Sequence, residues 1–453
     1  MRTSRFWQSV KYIMIGALGM ALTIRLFLAL TRPRHSDQKK DAQSQSVPLE
    51  PVSTHLAHRA YLQTYLNTSP LASTSVPGEK GSVEKKPGRT TTIVGVAMML
   101  AVIVGTFLYS GHIFAGVLFQ SNSVAAAQPQ LLRPTFERGI IYPQWSPDAY
   151  GAQDTVWQHG IGPVKQQTGA QWIELPVLFS QASPSSTVIT TVPSTPTISS
   201  FIEGIQWAHT LGYKVFFVPL MQVRQTGMWS GSITFSGGQR EQAWFDAYWK
   251  VIEPYVAAAA AQHVEQMAVG TELQTLQQIV PDALWNRLIA RVRGVYGNTL
   301  TYDMNWSSLV QSMPGWLENP ALSYIGVSTY IPLLNTPGRV DPAAMPVLWR
   351  DKVKSQLDAL AVQLKKPVLI TEIGYRNSAD ALYRTWEATS KAHADPQEQA
   401  GAYEAALSNA FSDTHIAGTF FWGWDNVGMF AIKNQSAVQE LLKWYSRTTT
   451  QTT

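Results

Sequence analysis

Two glutamates at the ends of short apolar runs are the residues of this chain best suited to acid/base chemistry. Glu372 closes the run Lys366-Pro-Val-Leu-Ile-Thr-Glu372, and Glu272 closes the run Met267-Ala-Val-Gly-Thr-Glu272. Each run predicts a buried strand, and a charge buried at its end is costly unless it is paired or used. Two carboxylates at one site are what hydrolysis of a glycosidic bond requires, one as acid/base and one as nucleophile. The alternative interpretation is a pair of capping or ion-paired glutamates.

Two further carboxylates fall inside predicted strands rather than at their ends. Glu174 lies within the second strand, and Asp303 lies within the fifth, where strand alternation puts it on the same face as Asn305. We interpret Glu174 and Asp303 as hydrogen-bonding residues of the interior. The chain has no cysteine, which excludes disulfides and thiolate-bound metals. Its sequence also shows no His/Asp/Glu metal spacing and no phosphate-binding loop, so neither a cofactor nor a metal is expected.

From residue 136 onward, short apolar runs alternate with helical patterns. The predicted strands are 137–143, 172–179, 214–221, 266–273, 299–305, 324–330, 367–374 and 418–424. The predicted helices are 155–168, 198–211, 241–263, 281–296, 346–364, 395–411 and 437–445. Eight strands alternating with helices predict an α/β fold, a (β/α)8 TIM barrel, with its chemistry at the C-terminal strand ends. A doubly wound sheet is the alternative, but the glycine-rich phosphate fingerprint expected after its first strand is absent.

Several motifs, taken in their order along the chain, resemble glycoside hydrolase family 113, a family of retaining β-mannanase-like barrels. They are Trp145, Gly227-Met-Trp-Ser-Gly231, Trp244-Phe-Asp-Ala-Tyr248, Val269-Gly-Thr-Glu-Leu273, Leu300-Thr-Tyr-Asp-Met-Asn-Trp306, Tyr324-Ile-Gly-Val-Ser-Thr-Tyr-Ile-Pro-Leu333, Thr371-Glu-Ile-Gly-Tyr375 and Phe420-Phe-Trp-Gly-Trp424. The resemblance runs from Gly139 to Trp424. Residues 1–128 lie outside it.

The resemblance implies a role for each of these strand-end residues. Glu272 is expected to be the acid/base and Glu372 the nucleophile. The residues expected to bind substrate or line the cleft are Trp145, Trp229, Asn305, Trp306, Tyr330 and Trp422. Among these, Tyr330 hydrogen-bonds the nucleophile and Trp422 forms the floor under the reactive sugar. Relatives carry a polar Lys-Pro-His pattern at the end of the third strand, where this chain has Val218-Pro-Leu220 followed by Gln222. This departure bears on mannan specificity.

Charge and aromatic content narrow the classes of partner. The net charge is +5, from 35 Lys/Arg and 30 Asp/Glu. Residues 1–128 carry 13 basic and 5 acidic residues, which leaves 22 and 25 for residues 129–453. A mildly acidic remainder gives no support to a nucleic-acid partner. The 16 tryptophans fit a carbohydrate cleft, where flat apolar faces stack on sugar rings.

The N-terminal region combines two apolar segments with a polar linker. Residues 12–30 are apolar but include Arg25, residues 31–91 are polar, and residues 93–119 form an uncharged apolar run long enough to cross a membrane. The Lys and Arg residues just before residue 93 predict a cytoplasmic linker and an extracellular domain after it. Whether residues 12–30 also span is left open. Small residues up to Ala127 equally fit a signal sequence that is cleaved there, which makes secretion the alternative to anchoring.

Together these patterns predict a membrane-anchor region, residues 1–128, followed by a (β/α)8 glycoside hydrolase domain, residues 129–453. The expected partners are the membrane and a β-linked polysaccharide or oligosaccharide, with β-1,4-mannan first and other β-glycans second. The competing hypothesis is a non-catalytic carbohydrate-binding or cell-envelope protein on the same barrel. The departure at Val218 and Leu220 motivates that hypothesis.

Overall fold

The computed structural model describes residues 135–151, 156–425 and 427–447. The strands of this part of the chain are β1 (Glu137–Ile141), β2 (Trp172–Gln181), β3 (Ile189–Thr190), β4 (Lys214–Val223), β5 (Gln266–Thr271), β6 (Thr299–Asn305), β7 (Ile325–Ser328), β8 (Val368–Ile373) and β9 (Ile416–Trp422). The α-helices are α1 (Val156–Thr168), α2 (Ile198–Thr210), α3 (Gly238–Ala261), α4 (Gln274–Ile279), α5 (Asp282–Val295), α6 (Met345–Trp349), α7 (Ser355–Leu364), α8 (Pro396–Phe411) and α9 (Ala437–Tyr445). Short 3₁₀ turns and one π-helical turn complete these described ranges.

The strands form a closed parallel barrel. Around the ring the order is β1, β2, β4, β5, β6, β7, β8 and β9, and β9 pairs with β1 again. The two-residue β3 adds to β2 in the antiparallel direction and stands outside the ring. Each of the eight predicted strands coincides with a barrel strand, so the (β/α)8 prediction is confirmed. The C-terminal strand ends therefore meet at one rim, which we call the mouth.

Alternation along each strand separates the interior of the barrel from the layer between strands and helices. In β2, Ile173 and Leu175 pack in the large cluster that includes helix residues, whereas Trp172 and Leu178 belong to a second cluster inside the ring. Both faces of a barrel strand are buried, which explains why the runs in the sequence are almost continuously apolar. The exceptions, Glu174 among them, point toward the interior.

Several element boundaries shift from the sequence prediction, and two helical features were not predicted. β2 continues to Gln181 rather than ending at residue 179, because it pairs with β4 over all ten residues, from Trp172↔Lys214 to Gln181↔Val223. The short helix α4 begins at Gln274, two residues after Glu272. It was not predicted, because six residues are too few to show a helical period. The predicted helix 346–364 contains a π-helical turn, Arg350–Lys354, between α6 and α7.

The predictions for the N-terminal region fall on residues that the structure does not describe. These are the apolar segments 12–30 and 93–119, the polar linker 31–91 and the cleavage site after Ala127. Within the described ranges, every helix is too short or too polar to cross a bilayer. Anchoring and export therefore stay predictions.

Candidate active site

The mouth of the barrel gathers most of the residues that the sequence singled out. Glu272 follows β5, Asn305 ends β6, Tyr330 follows β7, and Glu372 lies near the end of β8. All four side chains are buried, the two carboxylates to 6% and 7% exposure. Neighbouring strands β5 to β8 therefore form a polar half of the mouth.

Irregular backbone aims Glu272 into the mouth. The β5–β6 register shifts between Ala268 and Thr271, and Glu272 itself has a φ of +50°. A left-handed conformation is uncommon for a residue with a side chain, and such strain concentrates at functional sites. The conformation is held by the Glu272 N–H, which donates to the Asp303 carbonyl at 2.7 Å.

The carboxylate of Glu272 has a fixed hydrogen-bond donor. Asn305 Nδ2 donates to Glu272 Oε1 at 2.9 Å. The orientation of this amide is set from behind, because the Ser307 backbone N–H and hydroxyl both donate to Asn305 Oδ1, at 3.0 and 2.7 Å. A backbone N–H can only donate, so the amide must turn its own N–H groups toward Glu272.

Glu372 has a different donor. The Tyr330 hydroxyl donates to Glu372 Oε1 at 2.7 Å. Burial, and then the charge of Glu372, holds the pKa of Tyr330 well above its usual range, so it remains a phenol at any working pH. A backbone hydrogen bond also connects the ends of β7 and β8: the Thr329 N–H donates to the Glu372 carbonyl at 2.6 Å. Glu272 and Glu372 thus have different hydrogen-bond donors: the amide of Asn305 for Glu272, and the phenol of Tyr330 for Glu372.

Two more acids lie in the barrel interior below this pair, as the sequence predicted. Asp303 accepts from the Thr371 hydroxyl at 2.6 Å and from the Ser328 hydroxyl at 3.0 Å. Burial, with the nearby charge of Glu272, raises the pKa of Asp303 well above its usual range. Burial, with the charge of Glu372, does the same for the pKa of Glu174. The hydrogen bonds of Asp303 connect β6 to β7 and β8.

The other half of the mouth is apolar. Trp422, which ends β9, is 3% exposed and packs in the interior cluster together with Leu178, Val218 and Leu220. Trp145 is half-buried and packs against the same cluster. Val218 and Leu220, at two of the positions that depart from the family pattern, therefore face the barrel interior on β4 and carry no polar groups.

Not every predicted cleft residue joins this cluster. Trp306, directly after β6, packs against it, but the indole of Trp229 lies over Gly231 in the loop after β4. Sequence reasoning missed Trp386, which belongs to the cluster and stacks on Trp306 with 5.5 Å between ring centroids. Trp386 lies in the long loop after β8, where no strand-end motif marks it.

One group of described residues has the composition of a metal site, but it lies far from the mouth. Asp358, Asp413 and His415 bring their ligand atoms together near the N-terminal ends of β8 and β9. Lys354 Nζ donates to Asp358 at 2.6 Å and also pairs with Asp413. The ammonium group supplies the positive charge there, so the group is an ion-pair network.

Comparisons with known proteins agree with this geometry. The model of Glycoside Hydrolase Family 113 matches residues 154–442. A solved structure described as a complex of a family 113 β-1,4-mannanase is 20% identical, with a TM-score of 0.60 over 69% of this chain and 100% of its own. The β-mannanase AaManA from Alicyclobacillus acidocaldarius is 22% identical, with a TM-score of 0.58 over 69% of this chain and 98% of its own. No curated protein matches the sequence. The structural likenesses confirm the barrel fold.

Proposed function

Because the chain belongs to glycoside hydrolase family 113, we propose that it hydrolyses a β-linked mannan or mannan oligosaccharide with retention of configuration. In this proposal Glu372 is the nucleophile and Glu272 the acid/base. The observation that carries it is the pair of separate donors, Tyr330 on Glu372 and Asn305 on Glu272. They give two buried carboxyl groups at one mouth different surroundings, which is how one site holds both an acid and an anion.

The surroundings of Glu372 suit a nucleophile. A phenol that stays protonated donates a charge-assisted hydrogen bond to an anion, and such bonds are stronger than neutral ones. The Tyr330 bond to Oε1 orients the Glu372 carboxylate, which attacks the anomeric carbon. The attack forms a glycosyl ester on Glu372 while the bond to the leaving-group oxygen breaks.

The surroundings of Glu272 suit a general acid that later becomes a base. Asn305 donates to Oε1 and so orients the carboxyl group, which gives its proton to the leaving group. After that group departs, the Glu272 carboxylate takes a proton from water as the water attacks the glycosyl ester. Two carboxyl groups and water complete this reaction, and the proposal requires no cofactor or metal.

The substrate assignment rests on the family and on the aromatic surfaces of the mouth. The two solved structures described above are named as a β-1,4-mannanase and a β-mannanase, and Trp145, Trp306 and Trp422 supply flat apolar faces of the kind that stack on sugars. Other β-glycans are the second choice. The apolar Val218 and Leu220 favour the competing function, a barrel that binds glycans without cleaving them. A panel of polysaccharides and aryl glycosides separates these, since binding without turnover on every member contradicts hydrolysis.

The roles of the two glutamates are tested by their response to the leaving group. Glu372→Ala should lose several orders of magnitude on every substrate, and azide should restore turnover as a glycosyl azide of inverted configuration. Glu272→Ala should lose most activity on sugar leaving groups but keep the first step on an activated aryl glycoside, whose departure needs no proton. Glu253→Ala, on an exposed residue of α3, is the matched control. A loss in Glu272→Ala that does not depend on the leaving group would remove Glu272 from its role, and wild-type turnover in Glu372→Ala would remove Glu372.

The proposal also includes export of residues 129–453, tethered by residues 93–119 or released after Ala127. It rests on the Lys and Arg residues before the apolar run and on nothing in the fold. Protease added to intact cells should digest the barrel while a cytoplasmic marker survives. Digestion that begins only after lysis contradicts export, and the N-terminal sequence of the mature protein distinguishes anchoring from cleavage.

A further inference from the structure

The loop between β8 and α8, residues 374–395, has a charged core of its own. Arg376 is 1% exposed, and its guanidinium donates to the carbonyls of Arg384, Glu387 and Tyr383 at 2.8, 2.7 and 3.0 Å. It also donates to the carbonyl of Asp380 at 3.1 Å. A buried guanidinium is costly unless it is hydrogen-bonded, and both of its terminal nitrogens donate to carbonyls of the loop. These bonds therefore fold the loop into one fixed shape.

A second set of contacts braces the same loop. The Asp380 carboxylate accepts from Ser378 at 2.8 Å and from Ser390 at 2.7 Å. The Thr385 hydroxyl donates to the carbonyl of Tyr330. The loop is thereby attached to the residue that bonds Glu372, and the position of Trp386, one residue further on, is set relative to the catalytic pair.

Trp386 supports the tryptophan beside the proposed acid. Its ring stacks on Trp306 with 5.5 Å between centroids and 28° between planes. Trp386 is 8% exposed, whereas Trp306 is half-buried and so offers surface at the mouth. Trp306 is also the neighbour in sequence of Asn305, which donates to Glu272.

The first chemical step indicates which side of the scissile bond lies against the exposed face of Trp306. A general acid must reach the leaving-group oxygen, so the leaving group lies on the side of Glu272. We propose that Trp306, held by Trp386 and the Arg376-centred loop, is the platform for the sugar ring on the leaving-group side. The ligand is a pyranose of the departing glycan, or an acceptor sugar in the reverse direction, whose C–H face packs on the indole. The inference rests on the proposed function, because it uses Glu272 as the acid.

The platform affects transfer of the glycosyl group to a sugar acceptor, a reaction that competes with hydrolysis by water. After Glu372 carries the glycosyl group, an acceptor hydroxyl can attack the anomeric carbon in place of water. The bond from that carbon to Glu372 then breaks, the bond to the acceptor oxygen forms, and the hydroxyl proton passes to the Glu272 carboxylate. With an aryl glycoside as donor, only the acceptor sugar of the second step needs the platform, so loss of the platform should slow transfer and leave hydrolysis of the glycosyl ester nearly unchanged.

The experiment compares transfer with hydrolysis in Trp386→Ala, Trp386→Phe and the parent. A 2,4-dinitrophenyl β-mannoside loads the enzyme, its burst counts active sites, and β-1,4-mannobiose is the acceptor. Stacked aromatic pairs contribute about 0.5–1.5 kcal/mol, so transfer per active site should fall about 2- to 12-fold in the alanine variant. Hydrolysis should change less than about 2-fold, and phenylalanine should restore most of the transfer. Trp249→Ala, which removes a half-buried indole on α3, should leave the ratio unchanged.

Arg376→Lys gives an independent test, because an ammonium group cannot hold four carbonyls in the geometry of a guanidinium. It should lower the transfer ratio in the same direction as Trp386→Ala. An unchanged ratio in both variants, or parallel losses of transfer and hydrolysis, overturns the platform assignment. A parent protein that turns over no β-glycoside instead overturns the proposed function, and the inference with it.

Discussion

Replacing Tyr330 by phenylalanine removes one hydroxyl from the catalytic pair and tests the proposed nucleophile most directly. The hydroxyl donates to Glu372 Oε1 at 2.7 Å in a buried setting, and the ring itself packs edge-on against Phe430. Phenylalanine keeps that packing. Removing this donor destabilises the carboxylate form of Glu372 more than its protonated form.

The size of the effect follows from the strength of this bond. A hydrogen bond to a charged group contributes about 1.5–3 kcal/mol, and one pH unit corresponds to about 1.36 kcal/mol. The acidic limb of the pH profile of kcat/KM should therefore move up by about 1 to 2 units. At a pH below the parent limb, the rate should fall about 10- to 150-fold. Above the shifted limb the loss should be much smaller, since the nucleophile is ionised in both proteins.

The assay is a pH series of kcat/KM with an activated aryl glycoside, which makes formation of the glycosyl ester the measured step. Tyr255→Phe is the matched control: its buried hydroxyl donates to the Pro196 carbonyl at 2.6 Å, away from the mouth. That variant should lose thermal stability without moving the limb. An unmoved limb in Tyr330→Phe, or a uniform loss at every pH, would refute the assignment of Glu372.

Three further predictions concern buried groups. Burial raises the pKa of Glu137 from 4.5 to about 8, so the folded protein should lose stability as pH rises from about 4.5 to 8, and Glu137→Gln should flatten that decline in melting temperatures measured across this range. Asp303→Asn should keep kcat within about 3-fold at pH 6.5, because a neutral acid and an amide accept alike from Thr371 and Ser328, whereas Asp303→Leu should cost about 1–3 kcal/mol in urea unfolding by leaving those hydroxyls unpaired; a collapse of the Asn variant would show that Asp303 is ionised. Trp422→Ala should lower both kcat/KM and stability, the latter by about 3–5 kcal/mol, since the ring is 3% exposed, and Trp422→Phe should recover stability before activity.

The repeated strands of the barrel were predictable from the sequence. Runs such as Val368–Ile373 are buried on both faces, so their apolar continuity marks strands, and a polar residue at the end of such a run marks the mouth. Glu272, Asn305 and Glu372 were identified for that reason. The alternation that places Asp303 beside Asn305 likewise needed only the period of a strand.

The parts that depend on single long-range contacts were not predictable. The position of Trp386 is determined by a guanidinium and carbonyls within an irregular loop, and neither has a sequence period. The left-handed φ of Glu272 depends on a bulge between β5 and β6. The resemblance to family 113 grouped Trp229 with the cleft residues, but the structure folds that ring over Gly231, a local contact that the motif does not reveal.

The closure of the ring has a consequence for the order of events during synthesis. β1 is made first, yet one of its edges pairs only with β9, from Glu137↔Gly418 to Ile141↔Trp422. Arg138 donates to the carbonyls of Tyr445 and Arg447, at 2.6 and 2.7 Å, and both residues are made after all of the barrel strands. A nascent chain therefore carries an open sheet edge and an unsatisfied guanidinium until β9 and α9 have been made. The barrel stays incompletely folded, and so able to thread through a narrow pore, until that point. A chain truncated after Asp413 should be protease-sensitive throughout, rather than only at β1 and β8, the strands that β9 would have paired with.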